Sequence, residues 1–415
     1  MTHFKIKTEQ LRCNARKLFL LYLTLLALGL PAQGRAQEVE TKKPAADAEK
    51  IAPGFELKAL ADFRKMMPFK SIDNPVMIKA NEALFMEDAD YVLAFTEQGQ
   101  SRAYPLKIAW FHHVINDKMT DAKGVDTFFA ISYCSVCNTG IRYEPFVDGK
   151  KIMLDFYGLY NGVVTLCDRD TETVWLQADG TAAKGARVGA KLKSKPLLNI
   201  TWWRWKALHP DTLVMSQETE FKKYYHPDKR GYVDLPKMFF PTITRTDPRL
   251  PFAEMILAVA IPLELRTKAE GKIVGKESAN PETKETTVRN VRAYPLKSLK
   301  SEADVVNDLL DETPLVVFFD EEADTAAAYS RVVEAKTLTF ESRKLPSGKL
   351  FFYDKETGSR WNIEGKAEEG PLAGKLLTNV ESHLSEWYGW VAYFPQTSIY
   401  GKTDLPNTQK FVQPK

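Results

Sequence analysis

The sequence predicts a β-rich α+β fold made of two related halves, with short strands and few short helices. Three observations lead there. From Phe55 onward, short runs of β-branched and aromatic residues recur between Pro and Gly punctuation. Helical periodicity is scarce, and Thr201 to Leu208, with Trp202, Trp205 and Leu208 at helical spacing, is its clearest case. Finally, a set of landmarks occurs twice, in the same order.

Four runs have the length and residue types of strands: Tyr91 to Phe95, Phe128 to Tyr133, Lys151 to Phe156, and Val163 to Cys167. The repeated landmarks frame them. Arg102-Ala103-Tyr104-Pro105-Leu106-Lys107 returns as Arg292-Ala293-Tyr294-Pro295-Leu296-Lys297, and Val114-Ile115-Asn116-Asp117 as Val305-Val306-Asn307-Asp308. Asp168 with Trp175 returns as Asp354 with Trp361, and Trp202, Trp205 and Pro210 return as Trp387, Trp390 and Pro395. The order predicts a first half over residues 70–220 and a second over 236–402. Residues 221–250 read as a packed connector overlapping the start of the second half. Residues 267–287, charged and without apolar period, read as a long exposed loop.

Composition bounds the function. With 27% charged residues and a net charge of +3 over 415 residues, nothing points to nucleic acid or an anionic surface. Lys5, Lys7, Arg12, Arg16 and Lys17 precede the apolar run Leu18 to Leu30, and Gly34-Arg35-Ala36 follows with small residues. That layout predicts a cleavable signal peptide over residues 1–36 and a periplasmic or secreted protein. The apolar run is short for a spanning helix, and no later stretch reads as one, so no transmembrane segment is expected after signal removal. Residues 37–54, small and polar, read as a disordered leader.

Export shapes the cysteine arithmetic. Cys13 leaves with the signal, so the mature chain keeps Cys134, Cys137 and Cys167, which cannot all pair internally. Cys134 and Cys137 form a Cys-x-x-Cys pair after the apolar run Phe128 to Tyr133. The residues after Cys137 (Asn138-Thr139-Gly140-Ile141-Arg142-Tyr143) make a poor helix and a plausible strand. Strand, Cys-x-x-Cys, turn, strand is the form of a metal-binding knuckle, with Asn138 and Gly140 suited to left-handed backbone. A thioredoxin-type pair would instead open a helix.

Aligning the halves singles out these thiols. Where the first half continues Tyr133-Cys134-Ser135-Val136-Cys137, the second continues Asp320-Glu321-Glu322-Ala323-Asp324, and His112 falls opposite Ala303. Tyr-Pro, Asn-Asp and Trp landmarks are shared, whereas soft-ligand residues occur in one half only. Cys167 corresponds to Tyr353 at the end of an apolar run, which suits a small buried strand residue.

The series Asp73-Asn74-Pro75, Ala103-Tyr104-Pro105-Leu106, His112 before Asn116-Asp117, Tyr133-Cys134 with Cys137, Tyr160-Asn161, Asp168 with Trp175, and His209-Pro210-Asp211-Thr212 resembles the DUF3179 family. The resemblance covers about residues 70–402 and implies no established reaction. Ser135 departs from the Pro that follows the first Cys in the family pattern, and Cys167 stands outside that pattern.

Three functional readings stay open. The first is a soft-metal site, Zn or Cu, at Cys134 and Cys137 with His112 as third ligand and Cys167, His113 and His209 as further candidates. His113 is expected to face the opposite way from His112 on a strand. The second is a thiol-disulfide redox pair using Cys134 and Cys137, and the third a non-catalytic module with a structural disulfide and Trp175, Trp202 and Trp203 lining a groove. His226 and His383 read as surface or capping residues, and Asp320 to Asp324 as a solvated acidic loop. No Ser-His-Asp spacing, phosphate-cradling Gly loop or His-Glu-x-x-His occurs.

Overall fold

Tight turns explain why so many short strands form ladders. Gln98-Gly99, Asp148-Gly149 and Asn161-Gly162 each hold two successive residues at positive φ, as do Asp311-Glu312 and Glu334-Ala335. Such two-residue turns match the twist of the strands they join and fix hairpin register. The computed structural model describes residues 50–66, 69–225, 237–261, 290–302, 304–344, 350–407 and 409–410, all within the unit Glu49–Lys415. The signal segment, the leader up to residue 49, part of the connector (226–236) and the charged loop 267–287 lie outside the described residues. The end of the leader is described, and Ile51 bridges Lys184.

Before residue 225 the described strands form three five-stranded sheets and one two-stranded hairpin, Phe146–Val147 with Lys150–Lys151. One runs Leu198–Thr201, Tyr91–Glu97, Gln100–Pro105, Leu213–Met215, Met77–Lys79. The second runs Lys193–Lys195, Thr139–Glu144, Asp126–Cys134, Val114–Thr120, Ile72–Asp73. The third runs Leu60–Asp62, Leu154–Tyr160, Val163–Asp168, Val174–Leu176, Ala182–Lys184. Of the strands expected from sequence, Lys151 to Phe156 begins later, at Leu154, because Lys150–Lys151 belongs to the Asp148-Gly149 hairpin.

Beyond residue 237, besides two two-stranded pairings, three four-stranded sheets of similar order follow: Glu381–Glu386, Met255–Ala260, Val291–Pro295, Ser398–Ile399; then Val305–Leu310, Thr313–Asp320, Thr325–Ser330, Thr378–Asn379; then Phe340–Lys344, Leu350–Asp354, Arg360–Trp361, Ala367–Glu369. Leu93 opposes Tyr104 as Leu257 opposes Tyr294, and each pair joins a parallel strand next to Ala103 or Ala293. Tyr104 donates to Asp117 at 2.7 Å and Tyr294 to Asp308 at 2.6 Å. Trp175 donates to Asp168 at 3.0 Å and Trp361 to Asp354 at 2.9 Å. Each indole N–H is thereby satisfied inside the core, where an unmet donor costs about 1–3 kcal/mol.

Among the described residues four short α-helices join the sheets: α1 (Leu106–His112), α2 (Trp202–Leu208), α3 (Leu296–Glu302) and α4 (Trp387–Val391). α2 meets the sequence expectation, burying Trp202 and Trp205. Trp175 and Trp202 are fully buried in separate hydrophobic clusters, so they fill the core rather than line a groove.

One glycine lets the edge strand Leu60–Asp62 pack closely. Gly158 sits at a register shift opposite Asp62, and a Cβ there would lie 1.9 Å from the Ala61 carbonyl oxygen. Gly158→Ala is expected to push that edge strand away and cost about 1–3 kcal/mol, read as a lower urea midpoint. An unchanged midpoint would contradict this packing.

Candidate functional site: a buried dithiol

The strand Asp126–Cys134 carries Cys134 to the end of its ladder, where Cys134 opposes Thr139. The turn between them holds Asn138 at φ 56°, the left-handed conformation that Asn tolerates well. The strand Thr139–Glu144 then leaves, as the knuckle reading expects. Gly140 keeps ordinary φ, so the turn needs only Asn138 in left-handed space. Tyr133 holds that residue by donating its hydroxyl to Asn138 Oδ1 at 2.7 Å.

Both thiols of the turn are free and 0% exposed. Burial pushes the Cys134 thiol up. Against this, the Cys137 thiol and the backbone N–H groups of Val164, Cys137 and Val136 point at the Cys134 sulfur and stabilise its thiolate, and the net direction is down. Cys137 moves the other way. Burial raises it first, its neighbour's sulfur adds to that, and Glu386 contributes in the same sense. The Thr139 hydroxyl, 3.4 Å from the Cys137 sulfur, lowers it only in part. The two thiols are therefore shifted in opposite directions, Cys134 down and Cys137 up.

The cover of this turn comes from far along the chain. Glu386 donates its backbone N–H to the Cys137 carbonyl at 2.9 Å, and Tyr388 in α4 donates its hydroxyl to the Val136 carbonyl at 2.7 Å. From the other side, Gln177 donates to Ser132 Oγ and to the Thr139 carbonyl, each at 3.1 Å. Val163, Ile141 and Tyr388 belong to the same apolar cluster as the two cysteines.

The structure does not bring His112 to this dithiol. Among the described residues, no group of three or more His, Cys, Asp or Glu side chains is placed to hold a metal ion. His112 ends α1, where its Nδ1–H donates to the Lys70 carbonyl and its Nε2 accepts from the Tyr225 hydroxyl at 2.8 Å. Both ring nitrogens are thus engaged by protein groups, and burial lowers its pKa. His113 is not a strand residue. It caps α1 in the left-handed conformation (φ 60°), and its Nδ1–H donates to the Tyr133 carbonyl at 2.9 Å.

Cys167 stays apart, on the strand Val163–Asp168 with Tyr157 and Val174, and burial pushes its thiol up to about 12. A thiol so reluctant to ionise is a poor nucleophile at neutral pH, in keeping with a structural strand residue. His209 bonds Glu364 at 2.6 Å and Ser101 at 3.0 Å. His383 is a correction: it lies buried on the strand Glu381–Glu386, not at the surface, because its ring packs edge-on against Trp390 with centroids 5.4 Å apart. The acidic run is corrected in part. Asp320 and Ala323 are buried while Glu321 and Glu322 are exposed.

The family described as "protein of unknown function (DUF3179)" matches residues 68–397, most of the chain and the whole of this site. The chain belongs to the DUF3179 family. No curated protein and no solved structure matches it. For this DUF3179 chain the site residues that sequence reasoning missed are Val164, Gln177, Glu386, Tyr388 and Gly389. A signal for the last two existed. Between the repeated tryptophans, Trp203-Arg204 in α2 stands against Tyr388-Gly389 in α4.

Proposed function

We propose that Cys134 and Cys137 form a dithiol that cycles with a disulfide, making this a thiol-disulfide redox protein. The observation that carries the reading is the pair of free, buried thiols on one tight turn, set in unequal surroundings: backbone N–H groups of Val164, Cys137 and Val136 favour ionisation of Cys134, while burial raises Cys137. In the exchange, the Cys134 thiolate attacks one sulfur of a substrate disulfide and expels the other as a thiolate, giving a mixed disulfide. Cys137 then gives up its proton and attacks Cys134. The Cys134–Cys137 disulfide forms, and the substrate leaves with both sulfurs reduced. Because both thiols are buried, exchange requires the turn to open to its partner.

Cys137→Ser is expected to accumulate mixed disulfides through Cys134, seen as high-mass species that dithiothreitol removes, whereas Cys134→Ser accumulates none. Equal absence in both variants would overturn the redox reading. A second reading, a two-sulfur site for a soft ion such as Zn or Cu, is favoured by one observation, the strand–turn–strand knuckle that aims N–H groups at a thiolate. Stoichiometric metal in protein purified from cells without chelator, lost in Cys134→Ser, would support that reading instead.

Two further elements belong to this proposal. The matched registers and matched Tyr–Asp and Trp–Asp bonds support an origin of the chain by duplication, with the thiols confined to the first copy. The basic, apolar and small residues of 1–36 support export to the periplasm or beyond. Cell fractionation with and without that segment tests the second point, and retention of the full chain in the cytoplasm would refute it.

A further inference from the structure

Two turns occupy corresponding ends of corresponding strands, one after Asp126–Cys134 and one after Thr313–Asp320. Asn138 and Asp324 take the same left-handed conformation in them, at φ 56° and 49°. Each turn is covered by a helix from the other set of sheets. Thr201, just before α2, donates its N–H to the Ala323 carbonyl at 3.2 Å, and Glu386, just before α4, donates to the Cys137 carbonyl at 2.9 Å. The backbone docking is the same, but the side chains beneath it are not. The third residue of α2 is Arg204, whose Nε donates to Asp320 at 2.9 Å. The third residue of α4 is Gly389. A Cβ on Gly389 would meet the Cys137 Cβ at 2.9 Å, Val163 Cγ2 at 3.3 Å and Ser385 Oγ at 3.5 Å.

Glycine inside a helix is unfavourable relative to alanine, so its presence in α4 calls for a local cause, and the close approach of Cys137 supplies one. We propose that Gly389 is the positioning residue of the dithiol: its missing side chain lets α4 close on the Cys134–Cys137 turn and sets the distance of Cys137 from the Cys134 sulfur. α2 and Asp320 mark the alternative, in which a side chain at the same helix position forms an ion pair with the matching turn. This inference rests on the dithiol reading for its redox consequence and on packing alone for its structural one.

The test uses the full chain, wild type and Gly389→Ala, equilibrated in glutathione redox buffers and alkylated with iodoacetamide. The added methyl is expected to shift the equilibrium constant of the Cys134/Cys137 couple by about tenfold, equivalent to ~30 mV, and to change the alkylation rate. The thermal midpoint of Gly389→Ala should fall, and this loss should shrink in a Cys137→Gly background, where the opposing Cβ is gone. If Gly389→Ala does not fold, Cys137→Gly must restore folding. A couple unchanged by Gly389→Ala, an equal thermal loss in both backgrounds, or no rescue overturns the positioning role. Wild-type thiols that show no reversible couple overturn the dithiol reading and the redox role of Gly389 with it, whatever the thermal coupling shows.

Discussion

Arg204→Ala is expected to cost about 3–5 kcal/mol of folding stability, because it strands a buried carboxylate. Arg204 and Asp320 form an ion pair at 2.9 Å with side chains only 8% and 3% exposed. The guanidinium also donates to the Leu350 carbonyl at 3.3 Å, and Asp320 accepts the Ala323 N–H at 3.1 Å. Removing the cation leaves Asp320 held by one backbone donor in an apolar cluster with Phe318, Phe352 and Trp361. The attraction of a buried pair does little more than offset its desolvation, so replacing both partners is a different experiment. Arg204→Met combined with Asp320→Leu should recover most of the loss. Urea unfolding checks both, and a loss below about 1 kcal/mol for Arg204→Ala would mean that water reaches Asp320.

The second large effect is acid sensitivity. Burial lowers the pKa of His113 and of His383 from 6.5 to about 4. For His113 the bond to the Tyr133 carbonyl opposes burial in part, and neighbouring His112 adds slightly to the lowering. An unfolded imidazole takes its proton near pH 6.5 and the folded ones only near pH 4. Between those values the unfolded chain binds more protons. Stability is therefore complete above pH 6.5 and declines as pH falls toward 4, by about 3 kcal/mol for each histidine. His383→Leu isolates one contribution. Leucine is the residue at the matching strand position, since Leu198 opposes Ala94 as His383 opposes Ala258. The variant should lose distinctly less stability than wild type between pH 7 and pH 5. Parallel curves for the two proteins would show that His383 reaches solvent.

Particular residues show how much was legible beforehand. Strand runs such as Val163 to Cys167 and the helix at Trp202 stand out because alternation and helical spacing are local properties of the chain. The strand after Cys137 follows from Gly140, Ile141 and Tyr143 in the same way. His112 misled because nearness in sequence to a shared landmark says nothing about direction. α1 ends there, His113 turns left-handed, and the His112 ring is carried to Lys70 and Tyr225 instead of the thiols. His383 misled because a single polar residue in a short strand gives no hint that a sheet buries both faces.

What the sequence alone determined is the β-rich class, the strand–turn–strand setting of Cys134 and Cys137, and the absence of thiols from the matching turn. Each of these is written in neighbouring residue types or in the comparison of one stretch with another. Only the tertiary structure decided what surrounds the dithiol. The Tyr388 hydroxyl reaches the Val136 carbonyl across a separation of 252 residues, and Gly389 faces Cys137 across a similar span. Such contacts depend on how sheets cross and which helix closes over which turn, and no local pattern records that choice.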